Sequence, residues 1–156
     1  ILGNIGNVYQ DLSHNVDAIN YFQKAIALVK ELGDRRGLGV YLGNMGNVYQ
    51  NLCQYEDAIH CYEKALAIAR DMGSKQNIGR NQGNLGLVHQ NLCRYEDAID
   101  HYKNSIQIAQ EIGDKRGEGI NFGNAGDLLY KMNRKDEAKV YLKKAIEMYQ
   151  YFAGNS

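Results

Sequence analysis

The chain repeats itself every 40 residues, and this repeat constrains the fold more than any other feature. Residues 41–80 and 81–120 are identical at roughly half of their positions, and the remaining parts of the chain follow the same pattern. The clearest markers of the period are Gly33, Gly73 and Gly113, together with Ala18, Ala58, Ala98 and Ala138. Diverged copies of one unit fold as stacked units that bury their faces against their neighbours.

Each copy is predicted to form two helices. The first lies near 34–52 and begins at Asp34, whose side chain can cap the first turn. The second lies near 55–72 and ends at Gly73, a residue suited to the left-handed position that closes a helix. Its apolar residues stand three and four positions apart, at Ile59, Tyr62, Ala65, Leu66 and Ala69. No sustained alternation with a period of two is present, so we predict an all-α fold of eight helices, the first truncated.

The side chains of each copy follow a fixed order of size. In the second copy the order is small, aromatic, alanine, aromatic, alanine, at Gly46, Tyr49, Ala58, Tyr62 and Ala65. This order resembles the tetratricopeptide repeat (TPR), over the whole chain. The repeat length and the recurring GN-x-GN sequence are similar to a longer-repeat branch that includes the Pins/LGN adaptors and bacterial regulatory arrays. The sequence departs from the family pattern at His89, Ser105, Leu129 and Leu142, and it lacks the proline that usually follows the second helix.

The resemblance implies an α-solenoid, a right-handed superhelix of stacked antiparallel helix pairs. We predict a single solenoid over residues 1–156, with repeats near 1–33 (truncated), 34–73, 74–113 and 114–154. The apolar face of the last helix, with Ile146 and Tyr149, favours a fragment of a longer array and a weak end-to-end self-association.

Asparagine and glycine recur in the first helices, although both residue types weaken helices. Gly46 and its equivalents in the other repeats are predicted to let the two helices of a repeat cross closely. The resemblance implies that first helices line a concave groove and second helices form the outside. An asparagine amide both donates and accepts hydrogen bonds, as a peptide backbone does, and a neighbouring glycine such as Gly43 lets a bound chain approach. The predicted peptide-binding residues are Asn4, Asn7, Asn44, Asn47, Gln50, Arg80, Asn84, Gln90 and Asn124. Alternatively, the asparagines bond neighbouring helices within the array.

Composition and motifs exclude several functional classes. Eighteen basic residues balance 18 acidic ones, so the chain lacks the positive charge typical of nucleic-acid binders. No apolar run could span a membrane and no signal peptide is visible, and the three scattered cysteines favour a reduced, cytoplasmic setting. No HExxH, paired CxxC or phosphate-loop sequence occurs, so we predict no metal, no cofactor and no enzymatic activity.

The predicted function is a protein–protein interaction module that grips an extended peptide segment of a partner through a ladder of asparagines. Arg80 is the only cation at its position of the repeat and would favour an acidic ligand. The alternative is a structural or sensory arm that positions an effector domain elsewhere in a longer protein, or that mediates self-association.

Overall fold

The computed structural model describes residues 15–153 and contains helices but no strand within that range. The helices are α1 (Asn15–Glu31), α2 (Arg35–Asn51), α3 (Tyr55–Asp71), α4 (Lys75–Asn91), α5 (Tyr95–Ile112), α6 (Lys115–Lys131) and α7 (Lys135–Ala153). The all-α prediction is therefore confirmed, and the predicted helix bounds agree with the structure to within about one residue.

The chain divides into two compact units. The first, Ile1–Ser74, contains α1, α2 and α3, and the second, Lys75–Ser156, contains the remaining four helices. In each unit a first helix packs against the second helix of the same repeat, and α6 also packs against α5 of the preceding repeat. This is the arrangement of helix pairs that defines the TPR-like solenoid class. The prediction of one continuous solenoid over all 156 residues stays a prediction.

Local signals at the helix ends explain why the bounds were predictable. The Asp34 carboxylate accepts a hydrogen bond of 2.8 Å from the backbone N–H of Gly37, and Asp114 accepts one of 2.9 Å from Gly117. Both aspartates therefore act as N-caps, as predicted for the first helix of a repeat. The glycines that follow the second helices adopt left-handed backbone conformations, with φ of 66° at Gly33, 64° at Gly73 and 72° at Gly113.

The turn between the two helices of a repeat also contains a left-handed residue, but this residue is not glycine. The φ angles are 58° at Cys53, 58° at Cys93 and 61° at Asn133. Asparagine visits this region more readily than most side chains do, whereas cysteine has no such preference. Backbone hydrogen bonds of 2.9 Å close the turns, for example from Gln54 N–H to the Tyr49 carbonyl oxygen. The turn geometry therefore imposes the left-handed conformation on the two cysteines.

Large buried side chains fill the space between the helices of each pair. Tyr62 in the first unit and Tyr102 in the second are fully buried, and each faces a glycine on the partner helix. A Cβ atom added to Gly46 would lie 2.7 Å from the Tyr62 ring, and one added to Gly86 would lie 2.7 Å from the Tyr102 ring. Such distances are too short for carbon atoms, so the predicted packing role of these glycines is confirmed.

The last helix presents apolar side chains to solvent. Val140, Ile146 and Tyr149 are each more than half exposed on α7. In α5 the residues one repeat earlier, Ile106 and Ala109, are buried because α6 covers them. The predicted end-to-end self-association through this face stays a prediction.

Candidate binding groove of the second unit

A groove of about 350 Å³ lies between the two first helices of the second unit, α4 and α6, with α5 at its floor. Its volume falls in the range of small-molecule and side-chain binding sites. Helix α4 contributes Gln76, Gly79, Arg80, Gly83, Asn84 and Leu87. The other lining residues are Ser105, Ile108, Ala109 and Ile112 from α5, and Asp114, Gly117, Ile120, Asn121 and Asn124 from the N-terminal half of α6 and its cap.

Three of the predicted peptide-binding residues line this groove. Arg80 and Asn84 lie on the same face of α4 because they are four residues apart, and Asn124 stands one repeat after Asn84 on α6. The Arg80 side chain is exposed, and both asparagines are half-buried. The structure therefore places two rungs of the predicted ladder and the predicted cation around one cavity.

The other predicted residues in the described chain lie elsewhere. Asn44, Asn47 and Gln50 are half-buried on α2 of the first unit. The Tyr62 hydroxyl donates to Asn47 Oδ1 at 2.7 Å and lies 3.0 Å from Gln50 Oε1. In the second unit the Tyr102 hydroxyl donates to Gln90 Oε1 at 2.9 Å, so Gln90 has the same internal role as Gln50.

These three amides therefore support the packed tyrosines of their own repeats. That role agrees with the alternative reading, in which the polar side chains bond neighbouring helices. Asn4 and Asn7 lie outside the described residues.

Glycine and asparagine at the groove have a packing role that the sequence did not reveal. A Cβ atom on Gly83 would lie 2.9 Å from Asn121 Oδ1 and 3.4 Å from Ser105 Oγ, so this glycine makes room for buried polar side chains of α6 and α5. A Cβ atom on Gly79 would lie 3.1 Å from Ile108 Cγ2. The glycines of α4 thus make room for side chains of the protein itself. This role is separate from the predicted one, in which they let a ligand approach.

Two buried polar side chains at the groove donate hydrogen bonds to the backbone of the protein itself. Ser105 Oγ donates to the Gly79 carbonyl oxygen at 2.8 Å, and Asn121 Nδ2 donates to the Gly117 carbonyl oxygen at 2.8 Å. Ser105 stands where the family pattern has alanine, and this departure was the signal in the sequence for a polar side chain at the floor. Asn121 carried no comparable signal.

The charges around the groove are few. Arg80 is the only basic residue among the lining residues, and Asp114 is the only acidic one. The Asp114 carboxylate is engaged with the N–H of Gly117 as a helix cap. The groove therefore presents one exposed positive charge to a ligand.

Two ionisable groups elsewhere in the protein have pKa values shifted by burial and by their partners. Burial raises the pKa of the Glu118 carboxyl, but hydrogen bonds from Gln110 and Lys115, at 2.9 Å each, outweigh burial and hold that pKa below its ordinary value. Burial raises the pKa of the Cys61 thiol to about 11, so this cysteine is protonated at neutral pH. Neither group lines the groove.

A cluster of polar side chains between α4 and α5 was also not predicted from the sequence. The rings of His89 and His101 stack with centroids 5.0 Å apart, and His101 Nδ1 lies 2.6 Å from Gln82 Oε1. Gln82 stands where the neighbouring repeats have Leu42 and Phe122, so a substitution in the repeat pattern signalled the cluster. Within residues 15–153, no group of three or more histidine, cysteine or acidic side chains is placed to hold a metal ion. None of the helices in that range is long and apolar enough to cross a membrane.

Antiparallel helix pairs stacked one repeat after another define a class of α-helical repeat proteins. The sequence profile described as tetratricopeptide repeat matches residues 1–71 and 77–150. The chain therefore belongs to the tetratricopeptide repeat family, whose repeats generally mediate protein–protein interactions. Its placement in the Pins/LGN-like branch stays a prediction.

Three solved proteins with the same fold have chains that are longer than this one. Aspartyl phosphate phosphatase F from Bacillus subtilis is similar with a TM-score of 0.94 and 24% identity, over 97% of this chain and 40% of that protein. BtubC from P. vanneervenii has a TM-score of 0.90 and 16% identity, over 98% and 63%. A signal transduction ATPase with a tetratricopeptide repeat sensor, from Pyrococcus horikoshii, has a TM-score of 0.87 and 19% identity, over 99% and 24%. At these identities the likeness shows the fold alone. No curated protein sequence matched the chain.

Proposed function

We propose that this chain is a non-catalytic, cytoplasmic binding module that holds an extended peptide segment of a partner protein. The observation that carries the proposal is the convergence of Arg80, Asn84 and Asn124 on one groove between α4 and α6. The general role of TPR repeats in protein–protein interaction supports the same conclusion.

The proposed mechanism uses the amide side chains to hold the ligand's main chain. Each peptide unit offers one N–H and one C=O, and each asparagine amide offers a donor and an acceptor. Asn84 and Asn124 face the groove from two different helices, so together they can hold an extended segment that crosses it. Backbone capture of this kind works for many ligand sequences, and Arg80 adds a preference for an acidic side chain.

Asn44 and Asn47 would extend the same mechanism to the first unit, and Asn4 and Asn7 would extend it further toward the N-terminus. Asn47 Oδ1 accepts a hydrogen bond from the Tyr62 hydroxyl, so a ligand in the first unit would compete with this internal contact.

A displayed library of random nine-residue peptides tests the proposal. The wild-type chain is expected to enrich a family of related peptides, and the double variant Asn84→Ala/Asn124→Ala is expected to bind their synthetic versions about 5- to 150-fold more weakly. Loss of two or more hydrogen bonds of about 0.5–1.5 kcal/mol each supports that magnitude.

The matched control is Asn104→Ala on α5, because Asn104 is exposed and does not line the groove. Equal binding by the wild type and the double variant, with unchanged helicity, would exclude the asparagines as the gripping groups.

A second candidate is a sensory or structural arm, because one structural neighbour carries its tetratricopeptide repeats as the sensor of a larger signalling ATPase. In that case the groove variants would leave the activity of the full-length protein unchanged, whereas substitutions on the exposed face of α7, such as Ile146→Ser, would alter it.

A further inference from the structure

We infer that the groove of the second unit binds its peptide through one bulky apolar anchor side chain, with an acidic residue of the same peptide beside Arg80. This inference rests on the proposed function and adds the class of peptide that the site selects. The asparagines hold the main chain of any peptide, so the selectivity lies in the remaining lining groups.

Apolar side chains line most of the floor of the groove, and one more lies on the α6 wall. Ile108, Ala109 and Ile112 come from α5, and Ile120 comes from α6. Ile112 is 40% exposed and Ile120 is 41% exposed, so both present apolar surface at the cavity that a ligand could remove from water.

The size of the groove fits one large side chain together with the adjoining main chain. A buried cavity of about 150 Å³ accommodates benzene. The volume here, about 350 Å³, exceeds that requirement roughly twofold, so a leucine, isoleucine, methionine or phenylalanine side chain fits with part of its backbone.

The polar groups of the floor disfavour a polar anchor. Ser105 donates its hydroxyl hydrogen to the Gly79 carbonyl oxygen, and Asn121 donates one of its two amide hydrogens to the Gly117 carbonyl oxygen. The floor therefore has few hydrogen-bond donors left for a polar side chain, which would lose water on entering, whereas an apolar side chain gives up no hydrogen bond. The floor thus favours an apolar ligand group.

The basic contact and the apolar contact come from the same position of two successive repeats. Arg80 on α4 and Ile120 on α6 occupy the same position of successive repeats, and both line the groove. At this position, therefore, the α4 side carries a cation and the α6 side carries an exposed apolar side chain. Asp114, the only acidic lining residue, accepts a hydrogen bond from the Gly117 N–H as the cap of α6.

The first test is the sequence pattern of the peptides enriched from the nine-residue library on the wild-type chain. We expect leucine, isoleucine, methionine or phenylalanine at one fixed position and aspartate or glutamate within about three residues of it, the reach of neighbouring residues along an extended chain. Replacing the anchor residue of a synthetic peptide by glycine is expected to weaken binding about 10- to 100-fold.

The second test uses matched variants of the protein. Ile120→Ser is expected to weaken binding several-fold, whereas Ile146→Ser is expected to leave it unchanged. Ile146 is an isoleucine of α7 that is 55% exposed, against 41% for Ile120, and it does not line the groove. Arg80→Gln is expected to weaken the binding of peptides that contain the acidic residue. It should not weaken the binding of the same peptides when asparagine or glutamine replaces that acidic residue. Circular dichroism of each variant checks that helicity is retained.

The outcomes separate the two proposals. If the enriched peptides require Asn84 and Asn124 for binding but share no apolar position, the anchor inference is wrong and the proposed function stands. No enrichment over a non-binding control protein would overturn both. Dimerisation in sedimentation experiments that is abolished by Ile120→Ser would assign the groove to a second copy of the chain, and would also overturn the inference.

Discussion

The glycine at the crossing of two helices allows a quantitative test of the packing. Replacing Gly86 by alanine adds one methyl group at a point where its carbon would lie 2.7 Å from the Tyr102 ring and 3.2 Å from the Ala98 carbonyl oxygen. The ring cannot move aside freely, because Tyr102 is fully buried and its hydroxyl is bonded to Gln90.

Two opposing effects decide the result of Gly86→Ala. Alanine is the better helix former and favours the folded state by about 0.5–1 kcal/mol. Forcing an extra methyl group into a tightly packed contact costs about 1–3 kcal/mol. We therefore expect a net loss of about 1–2 kcal/mol in the free energy of unfolding.

Gly123→Ala provides the matched comparison on α6. A Cβ atom there would meet the Ala145 Cβ at 4.0 Å, an ordinary van der Waals distance. Only the gain in helix preference then applies, so this variant is expected to be more stable than the wild type by about 0.5–1 kcal/mol.

Urea unfolding followed by far-UV circular dichroism measures both variants against the wild type. Comparable slopes of the transitions are needed before the midpoints are converted to free energies. A Gly86→Ala protein as stable as the Gly123→Ala protein would show that the two helices separate at little cost, and would refute the assigned role of Gly86.

Three further substitutions test the contacts of the second unit. Asp114→Ala is expected to cost about 1 kcal/mol in urea unfolding, because the first turn of α6 loses its cap. Tyr102→Phe is expected to cost a similar amount, about 1 kcal/mol, since Gln90 loses its hydrogen-bond donor. Glu118→Gln is expected to destabilise the protein at neutral pH, but not in acid. The pKa of the Glu118 carboxyl is below its ordinary value of 4.5 in the folded protein, so its stabilising contribution is present above that pH and is lost as the pH falls through the folded-state value.

Each of these substitutions has a control with the same chemistry. Asp114→Asn keeps a capping oxygen and should retain most of the stability. Tyr130→Phe alters a tyrosine that is 61% exposed and should have no measurable effect. Glu147→Gln removes an exposed carboxylate of α7. A pH dependence as large for this control as for Glu118→Gln would contradict the assigned role of the buried carboxylate.

The fold was predictable because its signals are local and are repeated. Asp34 at the start of a helix, Gly73 at the end and the spacing of Tyr62 within a helix each act over a few residues, and every repeat restates them. The left-handed conformation of Cys53 and Cys93 was not predictable, because the turn imposes it on a residue type that does not signal it.

The candidate site was predictable in part. Arg80, Asn84 and Asn124 were predicted because they stand at positions of the repeat that the family resemblance directs toward the groove, and all three line it. The apolar floor was missed because α5, as a second helix, was assigned to the outside of the array. The structure shows that residues near the C-terminal end of α5, such as Ile108 and Ile112, reach the space between α4 and α6.

The remaining contacts were missed because they join side chains far apart in sequence. His101 meets Gln82 across 19 residues, and Ser105 meets Gly79 across 26. Which side chains meet across two helices depends on how those helices are packed, and no short motif records this. The only signals were departures from the repeat pattern, at Gln82, His89 and Ser105.

The uneven distribution of glycine between paired helices has a consequence for the order of folding. Helix α4 carries Gly79, Gly83 and Gly86, whereas the sequence of α5 contains no glycine. A segment so rich in glycine does not hold a helical conformation alone in water, and its helix becomes stable only against a partner surface. During synthesis α4 leaves the ribosome first, yet it must wait for α5 before it can fold. The smallest folding unit in this part of the chain is therefore the pair α4 and α5, in which the earlier helix is completed by the later one.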